Sequence, residues 1–529
     1  MNIESFLKKT KLFPCWKSIG IKPHHGINTP IGALKSKNSS GIGEFFDLIL
    51  LIDFCHEIGF DIIQILPIND SGEDPSPYNA LSSMALHPIY LSLKNLPYIH
   101  HYKNLLDQLS SFEELNHTKK IEYHSVLTKK IDFLKEYAGY VGEILYVSEE
   151  FNDFVALNSW VREYALYKSL KTLVLESSWE SWPETLKNPT YEQKKELFKI
   201  HEKEVLFFSL LQFLCYKQMS HVKQYAEKKG VFLKGDIPIL ISPDSADVWL
   251  HREYFDTNVQ VGYPPDIYNG EGQLWGFPAL NWEILSRNHF TWWGDRLRVA
   301  SIYYHLYRLD HVAGFYRLWL IDKGKKPIDG AYVPENLDEA IEAGHSYLST
   351  IPLFSNMLPI AEDLGNIPEK MRQSLKELGI CGTRVMRWER EWESNGLFID
   401  PLAFDPLTMS CVSTHDSETL GQWWRNYPDE AKVLCDQLGW NYNPTLDQTQ
   451  RYDLLMMCHM TRSLFHINLL GEYLALIEEF VQDDLDAERI NIPGFVLSTN
   501  WTYRMRPTLE QMKKNEPLKK MMRDFTKRA

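Results

Sequence analysis

Three short stretches each run apolar and then end in an acid ahead of a loop: Tyr307-Arg308-Leu309-Asp310-His311, Ile360-Ala361-Glu362-Asp363-Leu364-Gly365 and Ser413-Thr414-His415-Asp416. A strand alternates its side chains, so Arg308 and Asp310 share a face that Leu309 does not. A guanidinium beside a carboxylate favours its ionised form, which a carboxylate nucleophile needs. Glu362, longer and facing two other acids, is expected to have its pKa raised by like charge and so to serve as acid and base. Asp416 could hold sugar hydroxyls in a transition state, with His415 beside it as donor. Cleaving a glycosidic bond takes such a set: a nucleophilic carboxylate, a carboxylic acid for the leaving oxygen, and stabilisation of an oxocarbenium-like centre. Any one of these acids alone reads more readily as a helix cap or the partner of a surface arginine. Three on three strand ends point to glycosidic chemistry.

Such acids act together only if a scaffold gathers the carboxyl ends of their strands. Phe46, Ile49, Leu50, Phe54 and Ile58 recur at helical spacing, and Gly59 closes that helix. The run Asp61 to Pro67 reads as a parallel strand buried on both faces, and Lys17 to Ile21 as a short first strand. Further strands are expected at Val231–Ile237, which carries Asp236 near its end, at the Arg308–Asp310 stretch and at Leu358–Glu362. Thr383–Trp388, Cys411–Thr414 and Arg489–Ile492 complete the set. Helices are expected over about Trp292–Tyr304 and Pro368–Leu378. About eight strands alternating with helices make a (β/α)8 TIM barrel, an α/β fold whose active sites lie at the carboxyl ends of the strands. A minimal barrel needs roughly 250 residues, so the chain reads as one catalytic barrel over 1–529 with inserted, largely helical subdomains. The main insertion is expected at 80–229, where the strand–helix rhythm is lost. Residues 261–281, rich in Gly, Pro and aromatics, form a long loop of the kind that covers sites.

Composition narrows the partners. A net charge of −14 argues against nucleic acid. The basic tail from Lys513 to Arg528 is interleaved with Leu518, Met521, Met522 and Phe525, and reads as the solvated face of an amphipathic helix. The seven cysteines are scattered with no CxxC pair, which favours a reducing cytoplasm over a disulfide frame or a zinc site. Met1 to Pro14 lacks the apolar core of a signal peptide. Val205 to Tyr216, the most apolar window, is too short to span a bilayer and reads as a buried helix, so no membrane partner is expected. The histidine pairs 24–25 and 100–101 come without an HExxH pattern or acid cluster, so no metal is expected there either.

Taken together, Ser76-Pro77-Tyr78, Gly235-Asp236-Ile237-Pro238, Asp244-Ser245-Ala246-Asp247-Val248-Trp249, Pro264-Pro265-Asp266, Gly272-Gln273-Leu274-Trp275-Gly276, Arg308-Leu309-Asp310-His311, Ala361-Glu362-Asp363-Leu364-Gly365 and Thr414-His415-Asp416 resemble the 4-α-glucanotransferases, the amylomaltase or disproportionating-enzyme family related to the α-amylase clan. Asn491-Ile492-Pro493-Gly494 and Asn500-Trp501 resemble its C-terminal signature. The motifs run in the family's order from near the start of the chain to residue 501. The resemblance implies a barrel with inserted subdomains, no metal or cofactor, and double displacement on maltooligosaccharides or soluble α-glucan. It further implies Asp310 as nucleophile, Glu362 as acid/base and Asp416 as transition-state stabiliser. Arg308, His415 and Asp236 match positions that hold the nucleophile or the sugar, and Tyr78 and Asp266 lie in motifs expected to bind substrate. The chain departs from the family's usual pattern at His87, Arg387, Ser417-Glu418 and Tyr503, which bears on substrate length preference rather than on the reaction.

Aromatic residues make up 13% of the chain, and most are expected in the core. Tyr268, beside Gly270, and Trp275 are expected to stack on sugar, whereas Trp292-Trp293 and Trp423-Trp424 read as packing. A glucan transferase is the leading expectation. An α-1,4-glucan hydrolase with the same residues, and a non-catalytic glucan-binding protein, remain open at this stage.

Overall fold

The structure, a computed structural model, describes residues 3–265, 270–392 and 394–527. Its frame is eight parallel strands: β1 (His24–Thr29), β2 (Ile62–Ile65), β3 (Phe232–Pro238), β4 (Leu306–Asp310), β5 (Leu358–Ala361), β6 (Gly382–Val385), β7 (Thr408–Cys411) and β8 (Phe465–Leu469). They are hydrogen-bonded in the order β5-β4-β3-β2-β1-β8-β7-β6. A parallel bridge between Ile360 and Cys381 joins β5 to β6 and closes the ring. Apart from the partly exposed ends of β3 and β4 and Arg384 in β6, the residues of all eight strands are buried, as a barrel wrapped in helices requires. The fold is the expected (β/α)8 barrel.

Two expected strands are corrected. Lys17 to Ile21 falls in and just after the helix Phe13–Ile19, and the first barrel strand is His24–Thr29. Arg489–Ile492 is loop, and the eighth strand is Phe465–Leu469. Both strands lack apolar alternation because buried polar residues stand on them: His24 in β1, and His25, His466 and Asn468, which pack outward against helix Gln448–His459. The strand expected at Cys411–Thr414 lies three residues earlier, at Thr408–Cys411, and that expected at Thr383–Trp388 turns into a short 3-10 helix at Met386.

The lumen beneath the mouth is packed and partly polar. Lys234 on β3 is fully buried and reaches across to Gln64 Oε1 on β2 at 2.7 Å and to Met409 Sδ on β7 at 3.2 Å. Gly235, between Lys234 and Asp236, faces outward onto Tyr304, whose ring would lie 2.4 Å from any Cβ there. Only glycine lets the Tyr304 ring, just before β4, lie that close to the strand.

Between β2 and β3 the chain is largely helical, with its longest helices at Tyr123–Tyr146, Ser159–Leu173 and Glu202–Lys229. Helix Glu202–Lys229 packs on the other two and also on barrel helix Asp47–Ile58. Lys130 ties this region to the barrel: fully buried, it donates to Glu44 Oε1 at 2.7 Å and to the carbonyls of Ile89 and Leu91. A buried ammonium is tolerated when all three of its protons have acceptors, as here. At the far end, helix Glu516–Thr526 buries Leu518, Met522 and Phe525, each contributing about 1.5–3 kcal/mol. Among the described residues no helix is long and apolar enough to cross a membrane.

The stretch 261–281 is partly stranded. Val259–Tyr263 pairs antiparallel with Gln273–Leu274 and with Leu318–Asp322, so the segments after β3 and β4 share a small sheet beside the barrel mouth.

Candidate active site

Arg308 is the hub of the mouth. Its position on β4 points it inward with Asp310, two residues on, and Nη1 lies 2.6 Å from Asp310 Oδ1. The same nitrogen donates to both oxygens of Asp236 on neighbouring β3, at 3.1 and 2.9 Å. Nη2 lies 3.9 Å from Glu362 Oε2, at the end of β5. Register explains the convergence: Asp236 pairs with Arg308 and Pro238 with Asp310 across β3–β4, and Ile360 pairs with Arg308 across β4–β5.

Glu362 is fixed by backbone donors. The His311 N–H reaches Oε2 at 2.8 Å and the Leu364 N–H reaches Oε1 at 3.1 Å. His311 takes a left-handed conformation, φ 49°, immediately after Asp310.

The opposite wall comes from the loops after β2 and β7. The Tyr78 hydroxyl donates to Asp236 Oδ2 at 2.7 Å and lies 3.0 Å from His415 Nε2. The Tyr78 and His415 rings stack at 5.5 Å, 5° from parallel, and Trp501 packs on both. His415 Nε2 is 3.2 Å from Asp416 Oδ2, and the Asn491 amide donates to Asp416 Oδ1 at 2.6 Å.

Charge separates the three acids. Burial pushes the Asp310 carboxyl up to about 6, with Arg308 pulling the other way. Burial also raises Glu362, against the pull of Arg308 and the two backbone donors. Both shifts therefore come first from desolvation, where the sequence suggested like charge for Glu362 and an acid held low by its arginine for Asp310. Burial works to raise Asp416 too, but His415 and Asn491 outweigh it and hold that carboxyl at about 2. The mouth thus carries one carboxylate held ionised, Asp416, and two acids, Asp310 and Glu362, whose protonated forms burial favours. That is the equipment for nucleophilic attack combined with proton transfer.

Of the residues expected at the site, Tyr78, Asp236, Arg308, Asp310, Glu362, His415 and Asp416 come together. Trp275 stands at the rim, its ring edge-on to His311 at 4.9 Å and its Nε1–H donating to Gln273 at 3.0 Å. Asp266 and Tyr268 lie outside the described residues. Trp292, Trp293, Trp423 and Trp424 are buried packing. No role for His311, Asn491 or Trp501 is legible in the sequence, although each lies within one of the motifs quoted above.

A family model described as 4-alpha-glucanotransferase matches residues 29–510. The 4-alpha-glucanotransferase of Chlamydia pneumoniae is 44% identical over 514 residues, 97% of this chain and 97% of that one. The Clostridium butyricum 4-alpha-glucanotransferase is 27% identical over 86% of this chain and 91% of its own. In fold, the chain is similar to an amylomaltase from Streptococcus agalactiae solved in complex with acarbose. The TM-score is 0.82 at 24% identity, covering 96% of this chain and 99% of that one.

Proposed function

The chain belongs to the 4-alpha-glucanotransferase family, and from that premise we propose that it transfers α-1,4-linked glucan segments by retaining double displacement at the acids around Arg308. A donor maltodextrin lies across the mouth with its scissile bond between Asp310 and Glu362. The Asp310 carboxylate attacks the anomeric carbon, the bond to the leaving O4 breaks, and Glu362 delivers its proton to that oxygen. The segment is then held as an ester on Asp310. The 4-hydroxyl of an acceptor glucose or glucan gives its proton to Glu362 and attacks the same carbon, releasing Asp310. Two inversions leave the α configuration unchanged. The side chains account for every proton and bond, so the scheme calls for no metal or cofactor.

Asp416 and His415 hold the hydroxyls of the flattening sugar ring, and Arg308, Asp236 and Tyr78 hold the nucleophile. Residues 261–281 cover the intermediate, with Asp266, Tyr268 and Trp275 meeting substrate. Maltooligosaccharides and soluble α-glucan are the partners, and the seven free cysteines, all buried, suit a reducing cytoplasm.

The observation that carries this reading is the single guanidinium shared by Asp236, Asp310 and Glu362 at the ends of three adjacent strands. Incubation with maltotriose tests it. Glucose plus a ladder of longer dextrins supports transfer. Short products alone would make the chain a hydrolase, with water in the acceptor's place, and unchanged maltotriose would make it a glucan-binding protein.

A further inference from the structure

Two residues beyond Asp416, the Glu418 carboxylate joins three separate segments. Oε2 accepts from Arg387 Nη2 at 2.7 Å, and Oε1 lies 3.2 Å from Arg489 Nη1. Arg387 stands just past β6, Glu418 in the loop after β7, and Arg489 in the stretch that leads to Asn491. The remaining nitrogens of Arg489 are spent around Asp416: Nη2 donates to the Asp416 main-chain oxygen at 2.9 Å and Nε to the Asn491 carbonyl at 2.8 Å. Asn491 in turn donates its backbone N–H to the His415 carbonyl at 3.1 Å and its amide to Asp416 Oδ1 at 2.6 Å. Arg387 and Glu418 are two of the positions where the sequence departs from the family's pattern, and in space they are one ion pair.

We infer that Glu418 is a positioning residue for Asp416, holding Arg489 against its main chain and, through Asn491, steadying its carboxylate. The inference rests on the reading of Asp416 as transition-state stabiliser. The Asp416 side chain is 38% exposed, so packing alone does not fix it and hydrogen bonds must. A carboxylate that acts on developing charge has to be in place before that charge appears, and misplacement by about 1 Å costs on the order of 100-fold in rate. The hydrogen bond and charge of Arg387, with the charge of Arg489, outweigh burial and hold the Glu418 carboxyl below its ordinary value. The clamp is therefore charged throughout the neutral range.

Glu418→Met removes the acceptor while keeping the side chain's length. It should lower kcat about 10- to 100-fold with KM changed less than about threefold. It also leaves Arg387, 6% exposed, without its carboxylate, so the protein should melt earlier. The double variant Arg387→Met/Glu418→Met removes both charges and should regain thermal stability while kcat stays low, because Arg489 still lacks its anchor. A purely structural bridge predicts the opposite, with kcat recovering alongside stability. A folded double variant with kcat within about twofold of wild type would overturn the inference, and this variant decides the matter if the single one does not fold. Asp416→Asn, measured in parallel, separates the two claims. Near wild-type kcat there sinks the reading of Asp416 itself, whereas an inactive Asp416→Asn beside a fully active double variant sinks only the role of Glu418.

Discussion

Arg308 Nη1 lies 2.6 Å from the carboxylate of Asp310 while donating to both oxygens of Asp236. One cation thus serves these two acids as well as Glu362, and its charge is divided. This explains why Asp310, despite an arginine at contact distance, has a carboxyl raised to about 6 rather than depressed. Desolvation wins because the compensating charge is shared.

The acid limb of the pH–rate profile follows. Attack needs ionised Asp310, so kcat/KM should fall tenfold per unit below about pH 6, while the need for protonated Glu362 sets a separate limb on the alkaline side. Initial rates of maltotriose disproportionation across pH 4.5 to 8 check this. A limb near pH 4, the range of an ordinary aspartate, would contradict it.

Asp310→Asn should abolish turnover, with kcat down on the order of 1,000-fold or more and KM little changed, because the lost group reacts only on the way to the transition state. The same variant carries a stability signature. A carboxyl raised in the fold contributes stability that is fully present below its unfolded pKa of about 3.9 and lost as pH rises through about 6. At pH 7.5 the ionised Asp310 therefore costs the fold roughly 1–3 kcal/mol. Thermal melts should find Asp310→Asn more stable than wild type at pH 7.5, with the difference closing toward pH 4. A variant that melts earlier at pH 7.5 would refute the raised carboxyl.

Glu362→Gln should be nearly inactive on maltodextrins, since the leaving sugar oxygen needs its proton. A glycosyl fluoride donor needs none, so the first step should recover at least tenfold relative to maltotriose. Equal loss on both donors would remove Glu362 from the acid's role.

Trp275→Ala should raise the share of glycosyl groups passed to water. Its ring stands against His311, next to Asp310, where it can exclude water until an acceptor binds. A change of several-fold in free reducing ends per transfer is expected, read beside a melting curve. An unaltered ratio in a folded variant would end the gating idea.

The sequence was legible where chemistry and local pattern coincide. Asp310, Glu362 and Asp416 stand out because each follows an apolar run, and β3, β4 and β5 were found for the same reason. It was illegible where buried strand residues are polar, whether in the lumen or against the surrounding helices. The His24-His25-Gly26-Ile27-Asn28-Thr29 strand has no apolar alternation, because buried polar partners such as Asp61 for His24 and His459 for His25 satisfy it from elsewhere in the chain. Arg489–Ile492 has the composition of a strand, yet Pro493 and Gly494 follow at once, and the stretch spends its hydrogen bonds on Asp416 and Asn500 instead of a ladder. The Arg387–Glu418 pair could not be read from either residue alone.

The pairing of β1 with β8 places residues 24–28 beside 465–469. Ribosomes add about 5–20 residues per second, so roughly a minute of synthesis separates the two strands. During that interval the nascent chain presents β1 as an unpaired parallel edge, the kind of template on which other chains can assemble. The histidines and asparagine that made this strand hard to recognise also make it a poor adhesive. Its exposed edge in the unfinished chain carries His24, His25, Gly26 and Asn28 rather than a ladder of valine and isoleucine. The polar composition of β1 thus leaves that edge less adhesive than an apolar strand's would be until β8 is made.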